Sequence, residues 1–295
     1  MNYLVTGATG FIGRHLVPEL LAKGHAVTVV EHRSPVVPEL RGRVQILPSS
    51  GLEAMRGLDE VVVLHLATLF AGQHTSGQVD AMVEANLAFG QRLLEALDPK
   101  KCAGFVNVGT TWQHFESADY HPFNLYAAHK QAFEDVLRYY AEVRGLRALT
   151  LKLADSYGPE DPRRKIVSVL LAQLGKDAAL DMSPGEQFVD LLHVRDAVGA
   201  LLHAADLVRT RNDLPRPCSF QATSGQPLTL RALVALLSEV SGRPLRVNWG
   251  ALPYRPRENL HPVTFGQRLP GWTPAVDLRS GLAELLGRAG QRSEA

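Results

Sequence analysis

The amino-acid sequence predicts an α/β protein with a doubly wound parallel sheet and a smaller C-terminal lobe. Short apolar strands alternate with amphipathic helices through the first half of the chain. Several of these strands are continuous apolar runs, which is typical of parallel strands covered by helices on both faces. A glycine cluster directly follows the first strand. Together these observations predict a large sheet domain with a lobe attached to it.

The composition is that of an ordinary globular protein. Of 295 residues, 45% are hydrophobic and 21% are charged, which is enough apolar material for a sizeable core. The net charge of +1 gives no electrostatic footprint for nucleic acid or a membrane surface, so neither partner is expected. Cys102 and Cys218 are too few for a disulfide framework, and no residue cluster has metal-ligand spacing, so no metal is expected. With neither a signal peptide nor a membrane span evident, we expect a cytoplasmic protein.

The first elements follow from their apolar patterns. Leu4–Thr6 is an apolar strand, and Phe11–Lys23 has the apolar spacing of a helix. Val27–Val30 is rich in β-branched residues and predicts a buried strand. Val44–Leu47 predicts a third strand, and the apolar run Val61–Leu66 predicts a fourth. This order of elements favours a parallel sheet.

The same alternation continues beyond the fourth strand. A long helix is predicted over Asp80–Leu97, followed by a strand over Gly104–Val108. A second long helix over Asn124–Val143 leads into a strand over Ala148–Leu153. A shorter apolar helix is predicted over Ile166–Leu174. These elements complete the doubly wound sheet and begin the second lobe.

The alternation stops after Tyr157–Pro159, where proline and glycine become frequent. We therefore expect a first domain over residues 1–160, with a return to it near residues 188–210. Residues 161–295 are expected mainly to form the smaller lobe. This division is typical of chains in which excursions from a sheet build a second binding surface.

The glycine cluster has the spacing of a nucleotide-binding turn. Gly7, Gly10 and Gly13 lie between the first strand and the first helix. The first glycine permits a tight turn, the second allows the backbone to approach a pyrophosphate, and the third lets helix and strand pack closely. The N–H groups at the helix start favour phosphate. The fold is therefore predicted to be of the Rossmann type, and the expected cofactor contacts from this turn are Gly7, Thr9, Gly10, Phe11, Ile12 and Gly13.

The residues after the second strand bear on the choice of cofactor. An acid at this position accepts a hydrogen bond from a ribose 2′-hydroxyl, so Glu31 favours NAD. His32 and Arg33 follow at once, and Arg33 could bind the 2′-phosphate of NADP. Both cofactors stay open at this point, with NADPH slightly favoured.

A tyrosine and a lysine four residues apart lie at the start of the second long helix. This spacing places Tyr126 and Lys130 on one helical face. A neighbouring ammonium group lowers the pKa of a phenol by favouring phenolate. Tyr126 is therefore predicted to be a general acid or base.

At these residues the chain resembles the extended short-chain dehydrogenase/reductases, in particular the branch of nucleotide-sugar epimerases, dehydratases and reductases. The resemblance covers nearly the whole chain and depends on many motifs in order. The motifs are Gly7, Gly10 and Gly13; His65–Ala67; Asn86 and Gly90; Thr110; Tyr126 and Lys130; Tyr157–Pro159; His193–Asp196; and Gly271–Pro274.

The resemblance implies roles for several residues. Thr110 resembles the hydroxyl residue that holds the substrate carbonyl or hydroxyl group, and Tyr126 resembles the proton donor. Lys130 resembles the residue that binds the nicotinamide ribose. Leu66, Ala67 and Asn86 are implied cofactor contacts. A homodimer formed through the two long helices is also implied.

The chain departs from the branch at several positions that determine the reaction. In 4,6-dehydratases the catalytic threonine is followed by Asp and Glu, whereas Thr111 and Trp112 stand here. Dehydration is therefore disfavoured. Asp155 replaces an asparagine that contacts the substrate diphosphate, and Val189 replaces a phosphate-binding arginine. The expected substrate contacts are Thr111, Trp112, Asp155, Lys165 and Arg255.

Three parts of the sequence resemble the 4-ketoreductases of deoxysugar pathways, of the abequose, paratose and fucose type: Gly109–His114, Ser183–Gln187, and Asn248–Gly250 with Pro253–Arg255. The resemblance implies that a nucleotide-linked 4-keto-6-deoxysugar is reduced by NAD(P)H, with Tyr126 as proton donor. An NAD-dependent C4 epimerase is an alternative that Glu31 supports. A non-catalytic regulator that senses dinucleotides is a second alternative, although such proteins can dispense with the Tyr126 and Lys130 pair that this chain retains.

Overall fold

A seven-stranded parallel sheet forms the centre of the protein in a computed structural model that describes residues 1–215 and 217–293. The strand order is β11-β6-β5-β4-β1-β2-β3. The order is that of a doubly wound sheet with one further strand at an edge, which confirms the predicted fold class. The sheet strands are β1 Asn2–Thr6, β2 Ala26–Glu31, β3 Gln45–Pro48, β4 Val61–His65, β5 Cys102–Thr110, β6 Ala148–Leu153 and β11 Cys218–Ala222.

Helices cover both faces of this sheet. One face packs against α1 Phe11–Ala22 and α6 Val194–Thr210. The other packs against α3 Phe89–Ala96 and α4 Leu125–Arg144. The strands are apolar on both faces because both are covered. A short helix, α2 Val79–Val83, precedes α3.

The second lobe has its own hydrophobic core, centred on three helices. They are α5 Ile166–Gln173, α7 Leu230–Ser241 and α8 Leu278–Ser293. Three two-stranded sheets surround them, namely β7 with β10, β9 with β12, and β8 with β13. The strands are β7 Asp155–Tyr157, β8 Leu180–Met182, β9 Phe188–Val189, β10 Leu191–His193, β12 Leu228–Thr229 and β13 Val247–Trp249.

Two features of the sheet and its helices differ from the sequence prediction. The edge strand β11 lies in the half of the chain assigned mainly to the second lobe, yet it pairs in parallel with β6. The helix predicted over Asp80–Leu97 contains a π-helical turn over Glu84–Ala88 between α2 and α3. Neither feature could be recognised from the spacing of apolar residues. The β11 segment mixes polar and apolar residues, and the π-helical turn does not interrupt the apolar pattern of the helix around it.

The sheet fixes where a ligand can lie. The chain reverses its direction of winding between β1 and β4, which are neighbours in the sheet. Ligands of doubly wound sheets bind beyond the carboxyl ends of the strands at this point. No helix within residues 1–215 and 217–293 is long and apolar enough to cross a membrane.

Candidate active site

A cavity of about 470 Å³ opens at the carboxyl ends of β1 and β4. Its lining includes every residue of the glycine turn that the sequence assigned to the cofactor. It also includes the residues after β2, the residues after β4 and the predicted catalytic residues. The predicted residues in this lining are Gly7, Thr9, Gly10, Phe11, Ile12, Gly13, Glu31, His32, Arg33, Leu66, Ala67, Thr110, Tyr126 and Lys130.

The backbone of the glycine turn leaves no room for side chains. Gly7 has a φ of +71°, and a Cβ there would lie 2.7 Å from the backbone nitrogen of Ala67. A Cβ on Gly13 would lie 2.3 Å from the carbonyl oxygen of Gly7. The Gly10 N–H donates to the Gly7 carbonyl over 3.0 Å, which closes the turn. This cradle at the start of α1 fits the pyrophosphate of a dinucleotide.

The residues after β2 form one wall of this cavity. The Glu31 carboxylate accepts a hydrogen bond of 2.7 Å from the Val36 N–H, and the Arg41 guanidinium lies 3.8 Å from it. The His32 ring stacks on Phe89, with the ring centroids 5.0 Å apart. Arg33 is exposed at the edge of the cavity. The acidic Glu31 and the cationic Arg33 therefore both line the region where a ribose or its phosphate would be bound.

Asn86 acts on this cavity indirectly. Its buried amide oxygen accepts hydrogen bonds from the Thr68 hydroxyl at 2.8 Å and the Leu69 N–H at 2.7 Å. Its amide nitrogen donates to the Leu69 carbonyl at 3.1 Å. Asn86 lies outside the cavity lining and holds the segment after β4, which does line it. The structure thus shows Asn86 in contact with this loop, and its contact with the cofactor stays a prediction.

Tyr126 and Lys130 lie on one face of α4, as the spacing predicts. The Lys130 Nζ lies 5.8 Å from the centroid of the Tyr126 ring. Burial raises the pKa of Tyr126 to about 12, and burial lowers the pKa of Lys130 to about 8. The expected lowering of the phenol pKa by Lys130 is therefore wrong for the chain by itself, because desolvation is the larger effect. Tyr126 is held as a protonated phenol near neutral pH.

Thr110 ends β5 with its hydroxyl beside the same cavity. Its Oγ1 accepts a hydrogen bond of 3.3 Å from the Trp112 N–H. Because that lone pair is occupied by a donor, the hydroxyl hydrogen is left to donate elsewhere. Thr110 and Tyr126 both line this cavity with a side chain that carries a hydroxyl group.

A second cavity of about 560 Å³ adjoins the first. It is lined mainly by residues of the second lobe, including both Lys165 and Arg255. Five residues line both cavities, so the two spaces meet beside them. They are Phe70, Trp112, Asp155, Ser156 and Lys165.

An ion pair stands where the cavities meet. The Lys165 Nζ lies 2.6 Å from a carboxylate oxygen of Asp155, and the Trp112 indole N–H donates to the other oxygen over 3.2 Å. Lys165 also lies 4.8 Å from the centroid of the Phe70 ring. Asp155 therefore fixes Lys165 between two aromatic faces, where a cation can meet a substrate anion.

The other two predicted substrate contacts differ in position. Arg255 lines the second cavity, pairs with Glu258 and lies 5.4 Å from the centroid of the Phe123 ring. Thr111 is buried and lines neither cavity. Thr111 begins the short 3-10 turn that follows β5. Its assignment as a substrate contact is not supported by this placement.

Sequence reasoning missed two residues of the site. Phe70 packs edge to face on Tyr126, with the ring centroids 5.1 Å apart. The Arg163 guanidinium lies 4.3 Å from the centroid of the Phe11 ring at the start of α1, and Asp161 holds it over 2.7 Å. Neither residue belongs to a spaced motif, although Arg163 stands in a basic segment of the sequence.

Comparison with known proteins places the chain in a family. The model of the NAD dependent epimerase/dehydratase family matches residues 3–213. The chain is 26% identical to a CDP-abequose synthase of Salmonella typhimurium strain LT2, over 97% of each protein. It is 28% identical to a dTDP-6-deoxy-L-talose 4-dehydrogenase (NAD(P)(+)) of Kitasatospora kifunensis, over 95% of this chain and 93% of that protein.

A solved structure shows the same fold. The UDP-glucose 4-epimerase of Thermotoga maritima, determined with UDP-glucose, superposes with a TM-score of 0.83 at 24% identity. The match covers 99% of this chain and all of the other. The family match extends over the glycine turn, the predicted catalytic residues and most of the central sheet. This chain is therefore an enzyme of the NAD-dependent epimerase/dehydratase family, within the extended short-chain dehydrogenase/reductases.

Proposed function

We propose that the enzyme reduces the 4-keto group of a nucleotide-linked 6-deoxysugar with NADPH or NADH. The observation that carries this proposal is the meeting of two cavities beside Thr110 and Tyr126. One cavity has the glycine cradle of a dinucleotide site, and the other is lined by cations suited to a diphosphate. The sugar of such a substrate would lie where the cavities meet.

The chain's own groups fit this reaction. A reduced nicotinamide cofactor, when bound, supplies a hydride for the carbonyl carbon. Tyr126 donates a proton to the carbonyl oxygen as it becomes an alkoxide, and Thr110 donates a hydrogen bond to the same oxygen. Lys130 binds the cofactor ribose. Hydride and proton together convert the ketone into the alcohol.

The protonation state of Tyr126 is compatible with a role as proton donor in reduction. Reduction consumes a proton from Tyr126, whereas oxidation of a substrate hydroxyl needs Tyr126 to accept one. A phenol of ordinary pKa 10 is protonated at neutral pH, and burial, which raises the pKa of Tyr126 to about 12, leaves it so. Tyr126 is therefore protonated before the reaction, as a proton donor in reduction must be.

The residues after Thr110 oppose dehydration. Thr111 is buried outside both cavities, and the Trp112 indole is bound to Asp155. The carboxylate of Asp155 is itself bound to Lys165. Water elimination needs an acid and a base at the sugar, and these positions supply a hydroxyl group and an indole instead.

The named relatives support the same reading. A CDP-abequose synthase and a 4-dehydrogenase of a dTDP-linked deoxysugar both match almost the whole chain. We extend their substrate class, a nucleotide-linked deoxysugar, to this enzyme as part of the proposal. We also propose that residues 1–160, with the return near 188–210, bind the cofactor, and that residues 161–295 mainly bind the substrate.

An NAD-retaining C4 epimerase is the second candidate, and Glu31 favours it. An acid in this wall of the cavity accepts a hydrogen bond from the 2′-hydroxyl of NAD. An epimerase would purify with NAD tightly bound and would interconvert nucleotide sugars without external reductant. A reductase would oxidise one NAD(P)H for each sugar reduced.

Replacement of Tyr126 by phenylalanine tests the proposed function. We expect Tyr126→Phe to lower kcat for a nucleotide-linked 4-keto-6-deoxysugar by about 10²-fold or more, because the proton donor is lost. The dissociation constant for NADPH should stay within about twofold of wild type, since the ring and Lys130 remain. NADPH oxidation followed by absorbance gives the rate, and calorimetry gives the affinity. Full activity of the variant would contradict the assignment.

A further inference from the structure

Gln113 links the end of β5 to the helix that carries the catalytic pair. Its side chain is fully buried in the 3-10 turn Thr111–Gln113. Its Oε1 accepts a hydrogen bond of 3.0 Å from the Thr110 N–H. Its Nε2 donates to Gln131 over 2.8 Å and to the carboxylate of Glu134 over 2.9 Å, both on α4. One side-chain amide therefore joins Thr110 to α4 with three hydrogen bonds.

Glu134 continues the face of α4 that carries the catalytic residues. It lies four residues after Lys130 and eight after Tyr126, and residues four apart share a helical face. Its carboxylate lies 3.1 Å from the Lys152 Nζ on β6, in a pair that is almost wholly buried. The pair anchors this face of α4 to the sheet.

His114 completes the buried network. Its Nδ1 donates to the Ala118 carbonyl over 3.0 Å, because a carbonyl oxygen can only accept. Its Nε2 therefore accepts from the Lys152 ammonium, 3.1 Å away. Lys152 is thus held by Glu134 on one side and His114 on the other.

The packing around Gln113 leaves its amide little freedom. A Cβ on Gly109 would lie 2.8 Å from the Gln113 Oε1 and 2.9 Å from the Lys152 Cγ. Glycine at position 109 thus lets the amide approach the strand. The fixed amide sets the distance between the backbone of Thr110 and α4.

We propose that Gln113 is a positioning residue that holds Thr110 and Tyr126 in register for proton donation to one oxygen. The proposal rests on the proposed function, since it assigns both hydroxyl groups to the same carbonyl oxygen. Gln113 lines neither cavity, and its side-chain amide contacts Thr110, Gln131 and Glu134. Misplacement of a reacting group by about 1 Å can cost on the order of 10²-fold in rate.

Gln113→Met tests this role because methionine has a similar length and makes none of the three hydrogen bonds. We expect kcat to fall by about 10- to 100-fold, while the KM for the sugar and the affinity for NADPH stay within about twofold. In a Thr110→Val background the same substitution should lower kcat by a smaller factor than in wild type, because valine has no hydroxyl group to be held in register with Tyr126. Multiplicative effects of the two substitutions, or an unchanged kcat, would overturn the proposal.

A matched control separates positioning from simple loss of stability. Gln221→Met is the matched control, since Gln221 is a buried glutamine that bonds to the Phe265 carbonyl outside both cavities. A similar loss of kcat in Gln221→Met would contradict a specific role for Gln113.

Hydrogen exchange at the Thr110 amide tests the link without any substrate. We expect protection in wild type and faster exchange in Gln113→Met, because this amide donates to Gln113. Equal exchange in wild type and Gln113→Met would overturn the link itself. Absence of wild-type turnover on a 4-keto sugar would instead contradict the proposed function, so the two failures are distinguishable.

Discussion

Two buried lysines near the active site differ in what surrounds them. Lys152 is paired with Glu134, whereas Lys130 lies beside the Tyr126 ring, and burial lowers its pKa to about 8. The unfolded chain, with a lysine pKa of 10.5, binds more protons than the folded one between pH 8 and pH 10.5. The contribution of Lys130 to the free energy of unfolding therefore rises with pH through this window and is lowest below it.

Lys130→Met should stabilise the cofactor-free protein while abolishing activity. At pH 7 it removes a charge whose burial is unfavourable, so we expect the free energy of unfolding to rise by on the order of 1–3 kcal/mol. Lys152→Met is the matched control and should lower it by about 3 kcal/mol or more, because Glu134 loses its partner. Denaturant unfolding of both variants measures the difference. A loss of stability in Lys130→Met equal to that in Lys152→Met would refute this account.

The choice between NADPH and NADH is also decided by single residues. The Glu31 carboxylate already accepts the Val36 N–H, while Arg33 is exposed at the cavity edge. We expect Arg33→Ala to weaken NADPH binding by about tenfold or more and to leave NADH binding within about twofold, because only NADPH carries a 2′-phosphate. Calorimetry measures both affinities, with Arg56→Ala as an exposed control outside the cavity. Preference for NADH in wild type would indicate that Glu31 binds the ribose 2′-hydroxyl group, and it would strengthen the epimerase alternative.

At the scale of the element, the glycine turn between β1 and α1 depends on the absence of side chains. Gly13→Ala would place a Cβ 2.3 Å from the Gly7 carbonyl oxygen, so the helix and the turn must separate. We expect at least a tenfold loss of affinity for the dinucleotide and a stability loss of about 1–3 kcal/mol. Gly57→Ala is the control, since its Cβ would meet open space. Unchanged binding by Gly13→Ala, measured by calorimetry, would count against a pyrophosphate at this turn.

At the scale of the whole molecule, the exposed apolar residues of α2 and α4 bear on assembly. Tyr139 is 56% exposed and Val143 is 65% exposed on α4, and Val83 is 40% exposed on α2. We expect these helices to pair with a second copy of the chain, as the family resemblance implies. Tyr139→Glu with Val143→Glu should then shift a dimer to monomer in analytical ultracentrifugation, because charges would be buried at the interface. Tyr120→Glu, also at an exposed aromatic residue, should leave the dimer intact, and a monomeric wild type would refute the pairing.

The elements of the first domain were largely predictable because each has a local apolar pattern. The helix from Leu125 to Arg144 begins with Asn124, whose side chain accepts from the Ala127 N–H, and that start is visible in the sequence. The strand Cys218–Ala222 was not predicted, since a mixed segment becomes a strand only by pairing with β6. The π turn that contains Asn86 likewise has no local signal of its own.

The sequence by itself determined the fold class, the glycine turn and the pairing of Tyr126 with Lys130. Each of these depends on spacing between near neighbours, and spacing of this kind is fixed by the geometry of one strand or one helix. Only the tertiary structure decided the raised pKa of Tyr126, the ion pair of Asp155 with Lys165 and the network around Gln113. Burial and long-range contact arise when distant segments pack together, and no local pattern encodes them.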